Sequence, residues 1–387
     1  VSSPLLNPPL RSIGDLRRMA RLLLDRDPAH LEKYIDYLTY QPQTFTEARG
    51  LLAGGRHVLI DGITGAGKTA LMLYLLREFY EEGFRIILRD AGGLEFINLA
   101  LDIPMVMWIP EGCSFKLKKP EEAAENLEVT EYGSPEEIVG EAFKGERRFH
   151  AVCNRLFHPR DYEQWVEFFG GLLGEILRIC HTSPPSRDRR LVLAVDELND
   201  LVTSSQYALS PLHRSLKAVI EMNLRSLRKH YVTLMASTHG LSQISRGARS
   251  QFSYIFLKRH QGDELYQFCS RNLVTVRNEV FWFVLNALQR LPNDEAFLFD
   301  PVRRFDRVCF PNPIVYERDE MEWSASIRDE PLCGRRFDEV DLLIAAARSQ
   351  VEMSFTELEE KTGLVRSTIY ERYKKLRELP LLREVLR

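Results

Sequence analysis

The run GITGAGKT at 62–69 satisfies the spacing G-x-x-x-x-G-K-[ST]. It follows the apolar stretch HVLID at 57–61 and opens a run of helix formers from about Lys68 to Glu82, the strand–loop–helix context that a phosphate cradle requires. Gly62, Gly65 and Gly67 let the backbone curl so that the N–H groups of the loop, through Thr64, Ala66 and on to Ala70, point at phosphate oxygens. The start of the helix adds its positive dipole end. Lys68 would hold the β- and γ-phosphates of ATP, and Thr69 would place its hydroxyl on Mg2+. A second constellation stands at LVLAVDELND, 191–200. Its apolar run ends in Asp196 and Glu197, so both carboxylates emerge at the carboxyl end of a buried strand. Asp196 would bind Mg2+ through water, and Glu197 would orient and activate a water for attack on the γ-phosphate. A third strand, YVTLMAS at 231–237, runs into Thr238 and His239, and His239 is the candidate sensor of the γ-phosphate.

These residues need a sheet to bring them together. The candidate strands are HVLID, RIILRD (85–90), PMVMWIP (104–110), LVLAVD (191–196), YVTLMAS, SYIFLK (253–258), EAFLFD (295–300) and DRVCF (306–310). Most are apolar on both faces, as buried parallel strands are, and they alternate with helical runs, which implies an α/β fold. Residues 12–40 read as an amphipathic helical preface broken near Pro28. The stretch 117–147 is acidic and broken, and reads as a surface insertion with a short helix. After 262, GDELYQFCSRN and the run 278–291 read as helices.

With 387 residues and 44% hydrophobic content the chain can bury at least one large core, which excludes wholesale disorder. Its 52 basic and 55 acidic side chains leave a net charge of −3, so any attraction to a polyanion must be local. Six cysteines stand singly with no C-x-x-C pair, which argues against a zinc ribbon or a disulfide framework and suits a reducing cytoplasm. FWFVLNAL at 281–288 is far shorter than the roughly 20 residues of a membrane span. The first residues carry no apolar signal core, and the absence of an initiating Met suggests a processed or trimmed start.

The set GITGAGKT, VDEL, the basic NLRSLRKH before YVTLMASTH, ARSQFSYIFLK, and the late LPNDEAFLFD followed by FPNP resembles the FtsK/HerA superfamily of ring-forming DNA-pumping ATPases. That superfamily also includes conjugation coupling proteins and viral packaging motors, and the resemblance covers roughly 46–315. It implies a P-loop NTPase (RecA/FtsK-HerA-like) with a mostly parallel sheet and helices on both faces. It also implies ATP and Mg2+ as cofactors, double-stranded DNA as partner, and a homohexamer whose sites are each completed by a neighbour's arginine. Arg249 matches the usual place of that arginine most closely, with Arg246 second. The family usually carries Gln where this chain has His239, and imidazole makes the contact pH-dependent.

At the end of the chain, 338–349, 354–362 and 366–377 read as three helices, with Ser354 and Glu357 forming a capping box. They suggest a helix-turn-helix, winged, whose third helix offers Arg366, Arg372, Lys374 and Lys375 to a major groove. A protein partner is the other occupant of that module. The expected organisation is therefore a helical segment 1–45, a motor domain 46–318, a polar linker 319–334 and a helix-turn-helix domain 335–387. The expected activity is ATP-driven translocation of duplex DNA by a cytoplasmic ring. The alternative is a nucleotide-switched DNA-binding ATPase of the AAA+ initiator or signalling kind, disfavoured because strands follow the third motif where that class places a helical lid.

Overall fold

The computed structural model describes residues 50–119, 121–158, 162–186, 189–202, 210–241, 244–260, 287–300, 305–311, 322–327, 330–332, 344, 353–362, 364 and 366–378. The preface helix 12–40, the run 262–272, the run 278–291 up to 286, and nearly all of helix 338–349 lie outside these residues. The elements in chain order begin with β1 (Val58–Asp61), α1 (Lys68–Glu81), β2 (Arg85–Arg89), β3 (Met105–Pro110), β4 (Cys113–Lys119), α2 (Glu121–Asn126), β5 (Leu127–Tyr132) and α3 (Pro135–Lys144). There follow β6 (Phe149–Val152), α4 (Asn154–Phe157), α5 (Tyr162–Thr182), β7 (Leu191–Val195), α6 (Pro211–Lys229), β8 (Val232–Thr238), α7 (Arg246–Arg249) and β9 (Tyr254–Leu257). The last are β10 (Glu295–Phe299), β11 (Phe305–Cys309), β12 (Glu322–Ile327), β13 (Glu330–Leu332), α8 (Phe355–Thr362) and α9 (Arg366–Glu378).

Two compact units divide the chain, one of Val1–Glu111 with Leu117–Glu322 and the other of Gly112–Lys116 with Trp323–Arg387. In the first, the described strands form a ten-stranded sheet in the order β11-β10-β9-β1-β8-β7-β2-β6-β3-β5. Only β10 pairs antiparallel, with β9 and β11; the pairings from β9 to β5 are parallel. Every residue of β1, β3, β7 and β8 is buried, which explains why these strands read as continuous apolar runs. On one face α5 buries Trp165, Val166, Phe169, Leu172 and Ile176 and packs against α3 and α6. The helix α6 starts at Ser210, whose hydroxyl accepts the His213 N–H, with Pro211 in the first turn where its missing donor is harmless.

The structure corrects the reading of 117–147 as a surface insertion. β5 is an edge strand of the large sheet, in register with β3 from Met105 to Pro110, and α3 sends Ile138, Val139 and Ala142 into the main core. The acidic residues that suggested a loop, among them Glu128, Glu131 and Glu137, are exposed, as charges on an edge strand and on the outer face of its helix should be. The interval 319–334 is likewise more than a linker, since β12 and β13 fall within it.

The second unit contains a three-stranded sheet, β13-β12-β4, in which Phe115 stacks on Trp323 at 5.6 Å. Its helices α8 and α9 close on Ile344, Leu358, Ile369 and Tyr373, with Phe355 set edge-on against Tyr370 and Tyr373. The Ser354–Glu357 capping box forms as the sequence suggests: Glu357 Oε2 accepts the Ser354 N–H at 2.7 Å, and Ser354 Oγ accepts the Glu357 N–H at 3.3 Å.

Candidate active site

Three neighbouring strands, β1, β8 and β7, deliver the three motifs to one edge. Asp61 at the end of β1 is in register with Thr238, and Val195 at the end of β7 with Ala236, so the phosphate loop, Asp196–Glu197 and His239 all leave the sheet on its carboxyl side. The Gly62 N–H is bonded to the Thr238 carbonyl at 3.3 Å, which ties the loop to the sensor strand.

The loop is gripped from the far side by the end of β9 and by the turn before β10. A Cβ on Gly62 would lie 2.7 Å from Lys258 Cβ, and one on Gly67, whose φ is +81°, would lie 2.6 Å from the Asn293 carbonyl oxygen. Only glycine fits either place. Lys258 is fully buried; its ammonium donates to the carbonyls of Asn293 and Glu295, both at 2.6 Å, and lies 4.4 Å from the Phe310 ring centre. Burial brings its pKa down to about 7. Arg259 adds a bond to the Gly65 carbonyl at 2.9 Å, and its own carbonyl accepts the Ile63 N–H at 3.1 Å. Ala66 is buried, Thr64 and Gly65 are exposed, and Thr69 and Ala70 sit half-buried in the first turn of α1.

Lys68 Nζ donates to the Gly62 carbonyl at 2.8 Å and the Ile63 carbonyl at 3.1 Å, and stands 3.1 Å from His239 Nδ1. Burial lowers its pKa, against the raising pull of Asp61, Asp196 and Glu197. An ammonium can only donate, so His239 Nδ1 accepts, and the ring proton resides on Nε2. That proton faces Glu197 Oε1 at 3.5 Å, a long contact, while Thr64 Oγ1 lies 3.4 Å from Nδ1. The sequence-derived sensor thus stands between the loop lysine and the acidic strand end.

Asp196 and Glu197 are organised by one hydroxyl. Ser237 Oγ donates to Asp196 Oδ1 at 2.6 Å and accepts the Glu197 N–H at 2.9 Å. Glu197 adopts φ +55°, in the left-handed region that L-residues rarely occupy. Its pKa is held down to about 2, by His239 first and by Arg155 after it, although burial pushes the other way and the Arg155 contact is the shorter. Mg2+ takes one or two protein oxygens and keeps water and phosphate as its other ligands, so the Thr69 hydroxyl and the Asp196 carboxylate are a donor set of the right kind.

Sequence reasoning missed the ring around this pair. Arg155, from α4, bonds Glu197 Oε2 at 2.8 Å and Asp200 Oδ2 at 3.1 Å. Arg89, buried at the end of β2, donates to the Asp196 carbonyl at 2.8 Å and lies 3.8 Å from Asp200. Asp90 beside it accepts the N–H groups of Gly92 and Leu94, and burial raises its pKa to about 6. Arg249 is not brought to this cluster within the chain. It precedes β9, whose first residue Tyr254 pairs with Val58 at the opposite edge of the sheet. Of the basic residues of α9, Arg366 and Lys374 are exposed and Arg372 is half-buried.

Residues 54–151 match the family model of the helicase HerA central domain, a quarter of the chain that runs from the loop to β6. No curated protein matches. Among solved structures, the plasmid coupling protein TrwB in complex with ADP and Mg2+ is 12% identical over 77% of this chain and 92% of its own, with a TM-score of 0.48. The genome packaging NTPase B204 from Sulfolobus turreted icosahedral virus 2, in complex with ATP-gammaS, is 13% identical over 66% and 98%, with a TM-score of 0.42. VirB4 of Thermoanaerobacter pseudethanolicus is 14% identical over 68% and 90%, with a TM-score of 0.43. The matched quarter of the chain holds the phosphate loop, which faces an acidic strand end across a mostly parallel sheet; over that stretch the chain is similar to the HerA central domain, and its fold is that of a P-loop NTPase.

Proposed function

We propose that the chain is an ATP-hydrolysing motor that moves double-stranded DNA, working in the cytoplasm as a ring of identical subunits, six in number. The observation that carries the chemistry is the line Lys68–His239–Glu197, in which contacts of 3.1 and 3.5 Å join the phosphate loop to the catalytic carboxylate. Loop amides from Gly62 to Ala70 hold the phosphates, and Lys68 exchanges the Gly62 and Ile63 carbonyls for the β- and γ-phosphate oxygens. Thr69 through its hydroxyl and Asp196 through water would hold Mg2+, which would supply positive charge to offset that of the β- and γ-phosphates. Glu197 orients the attacking water and accepts its proton, and His239, whose ring proton is on Nε2, turns that N–H to a γ-phosphate oxygen. Arg249 reaches the site of the next subunit and stabilises the charge spread over the departing phosphoryl group.

The DNA reading is supported by the match to a helicase domain and by exposed Arg366 and Lys374 on α9. Residues 46–318 are the motor and 335–387 a helix-turn-helix module that meets DNA with Arg366, Arg372, Lys374 and Lys375, or else a protein partner. ATP turnover measured with and without duplex DNA tests the motor. Duplex should raise turnover several-fold, and charge reversal of Lys374 and Lys375 should flatten the salt dependence of DNA binding by about 0.9 in the log–log slope per lost phosphate contact. Turnover indifferent to DNA, with DNA binding that ATP switches on and off, would replace the motor with a nucleotide-switched binder.

A further inference from the structure

Arg155 stands against the Glu197 carboxylate. It is the second residue of α4, the short helix that follows β6, so it approaches from a strand two places along the sheet from β7. Its guanidinium bonds Glu197 Oε2 at 2.8 Å and Asp200 Oδ2 at 3.1 Å, and lies 4.9 Å from the Trp165 ring centre. Each of those neighbours is itself fixed. Trp165 donates its ring N–H to the His158 carbonyl at 2.7 Å, and the Asp200 carbonyl accepts the Tyr162 hydroxyl at 2.6 Å. Glu197, by contrast, leaves the chain from a left-handed residue, and among the described residues its Oε1 has only the long 3.5 Å contact to His239. The firm constraint on that carboxylate comes from Arg155.

We propose that Arg155 is a positioning residue for hydrolysis: by holding Glu197 Oε2 it fixes the carboxylate so that Oε1 is turned towards His239 and the attacking water. The assignment rests on the reading of Glu197 as the group that orients that water. Arg155 and Glu197 are each about one-third exposed (33% and 30%), and ion pairs so near solvent add little to stability, so the contact matters for geometry rather than for folding. A misplacement of the order of 1 Å at a reacting group can cost about 10²-fold in rate.

The test compares kcat, the KM for ATP and the melting temperature of wild type, Arg155→Ala, Arg155→Gln and Arg155→Lys, each also combined with Glu197→Gln. The expected result is a fall in kcat of about 10- to 100-fold in Arg155→Ala and Arg155→Gln with little change in KM or melting. Arg155→Lys should recover part of the rate through its single charged bond, and no Arg155 variant should lose more once Glu197 is already Gln. A wild-type kcat in Arg155→Ala and Arg155→Gln overturns the proposal while leaving the ATPase intact, as does the same fractional loss in the Glu197→Gln background. Collapse of the melting temperature in all three variants overturns it in favour of a structural role. A wild type that turns over no ATP overturns the ATPase reading itself.

Discussion

At the amino edge of the parallel sheet, Arg85, Arg148 and Arg190 finish on backbone carbonyls. Arg85 donates to Ala142 and Gly145 at the end of α3, Arg148 to Tyr80 and Arg190 to Glu82 at the end of α1, and the last two also cover the rings of Tyr80 and Phe84. At the carboxyl edge, Arg155 finishes on two carboxylates and Arg89 on a carbonyl and a carboxylate. A cation on the last carbonyls of a helix satisfies orphan acceptors and meets the negative end of the helix dipole, so it serves the fold. A cation in the cluster at the carboxyl edge instead holds carboxylates whose aim matters to the nucleotide site.

The histidines divide the same way. His57 and His150, near the amino edge, each accept an N–H at Nδ1, from Leu234 and from Trp108, and each donate from Nε2 to a carbonyl, of Leu224 and of Arg147. Burial first holds both down to a pKa of about 4. His239, at the carboxyl edge, instead joins one charged group to another. The difference teaches that the polar groups of one edge serve the fold and those of the other serve the site, and substitutions should separate accordingly.

The largest effect should come from the carboxyl edge. Lys68→Ala should abolish ATP binding, and Glu197→Gln should keep ATP bound while slowing hydrolysis by about 10²-fold or more, with no loss of melting temperature in either. Labelled-nucleotide binding beside phosphate release distinguishes the two, and a wild-type rate in Glu197→Gln removes that residue from the mechanism.

At the amino edge the expected effect is on stability and depends on pH. The unfolded chain takes up protons at His57 and His150 near pH 6.5, whereas the folded chain resists until about pH 4. Their contribution is therefore present above pH 6.5 and lost as pH falls towards 4, and by pH 5 each should have given up about 2 kcal/mol. Urea unfolding of wild type and His57→Gln at pH 7 and pH 5 reads this directly: the variant should lose less on acidification by about that amount. Equal losses would show that protonation of His57 is not resisted by the fold. The smallest effect belongs to the second unit, where Ser354→Ala should cost α8 about 1 kcal/mol of stability and leave ATP turnover unchanged.

The phosphate loop, the acidic pair and the sensor strand could be read from the sequence because each is a local pattern: an apolar run followed at once by the residues it delivers. The sheet around them was legible where both faces are covered, as in β7 and β8. It failed at β5 and β6, and at β4 of the smaller sheet. β5 has exposed Glu128 and Glu131 between buried Leu127 and Tyr132, β4 ends in exposed lysines after buried Cys113 and Phe115, and β6 is only four residues long and holds a histidine whose burial depends on Trp108, 42 positions away. The ring around Glu197 was invisible for the same reason. Arg155 lies 42 residues from Glu197 and 45 from Asp200, and Arg89 lies 107 from Asp196, so only the strand order β7-β2-β6 brings them together.

The close approach of Gly67 to the Asn293 carbonyl bears on how this molecule tolerates change. Hairpin-entry turns at a protein surface commonly accept insertions and deletions. The turn before β10 cannot, because main chain meets main chain there, and two carbonyls, of Asn293 and Glu295, are claimed by the single buried ammonium of Lys258. Side chains at Asn293 and Asp294 are exposed, while the number of residues between Pro292 and Glu295 is a spacing gauge for the phosphate loop more than two hundred positions earlier in the chain.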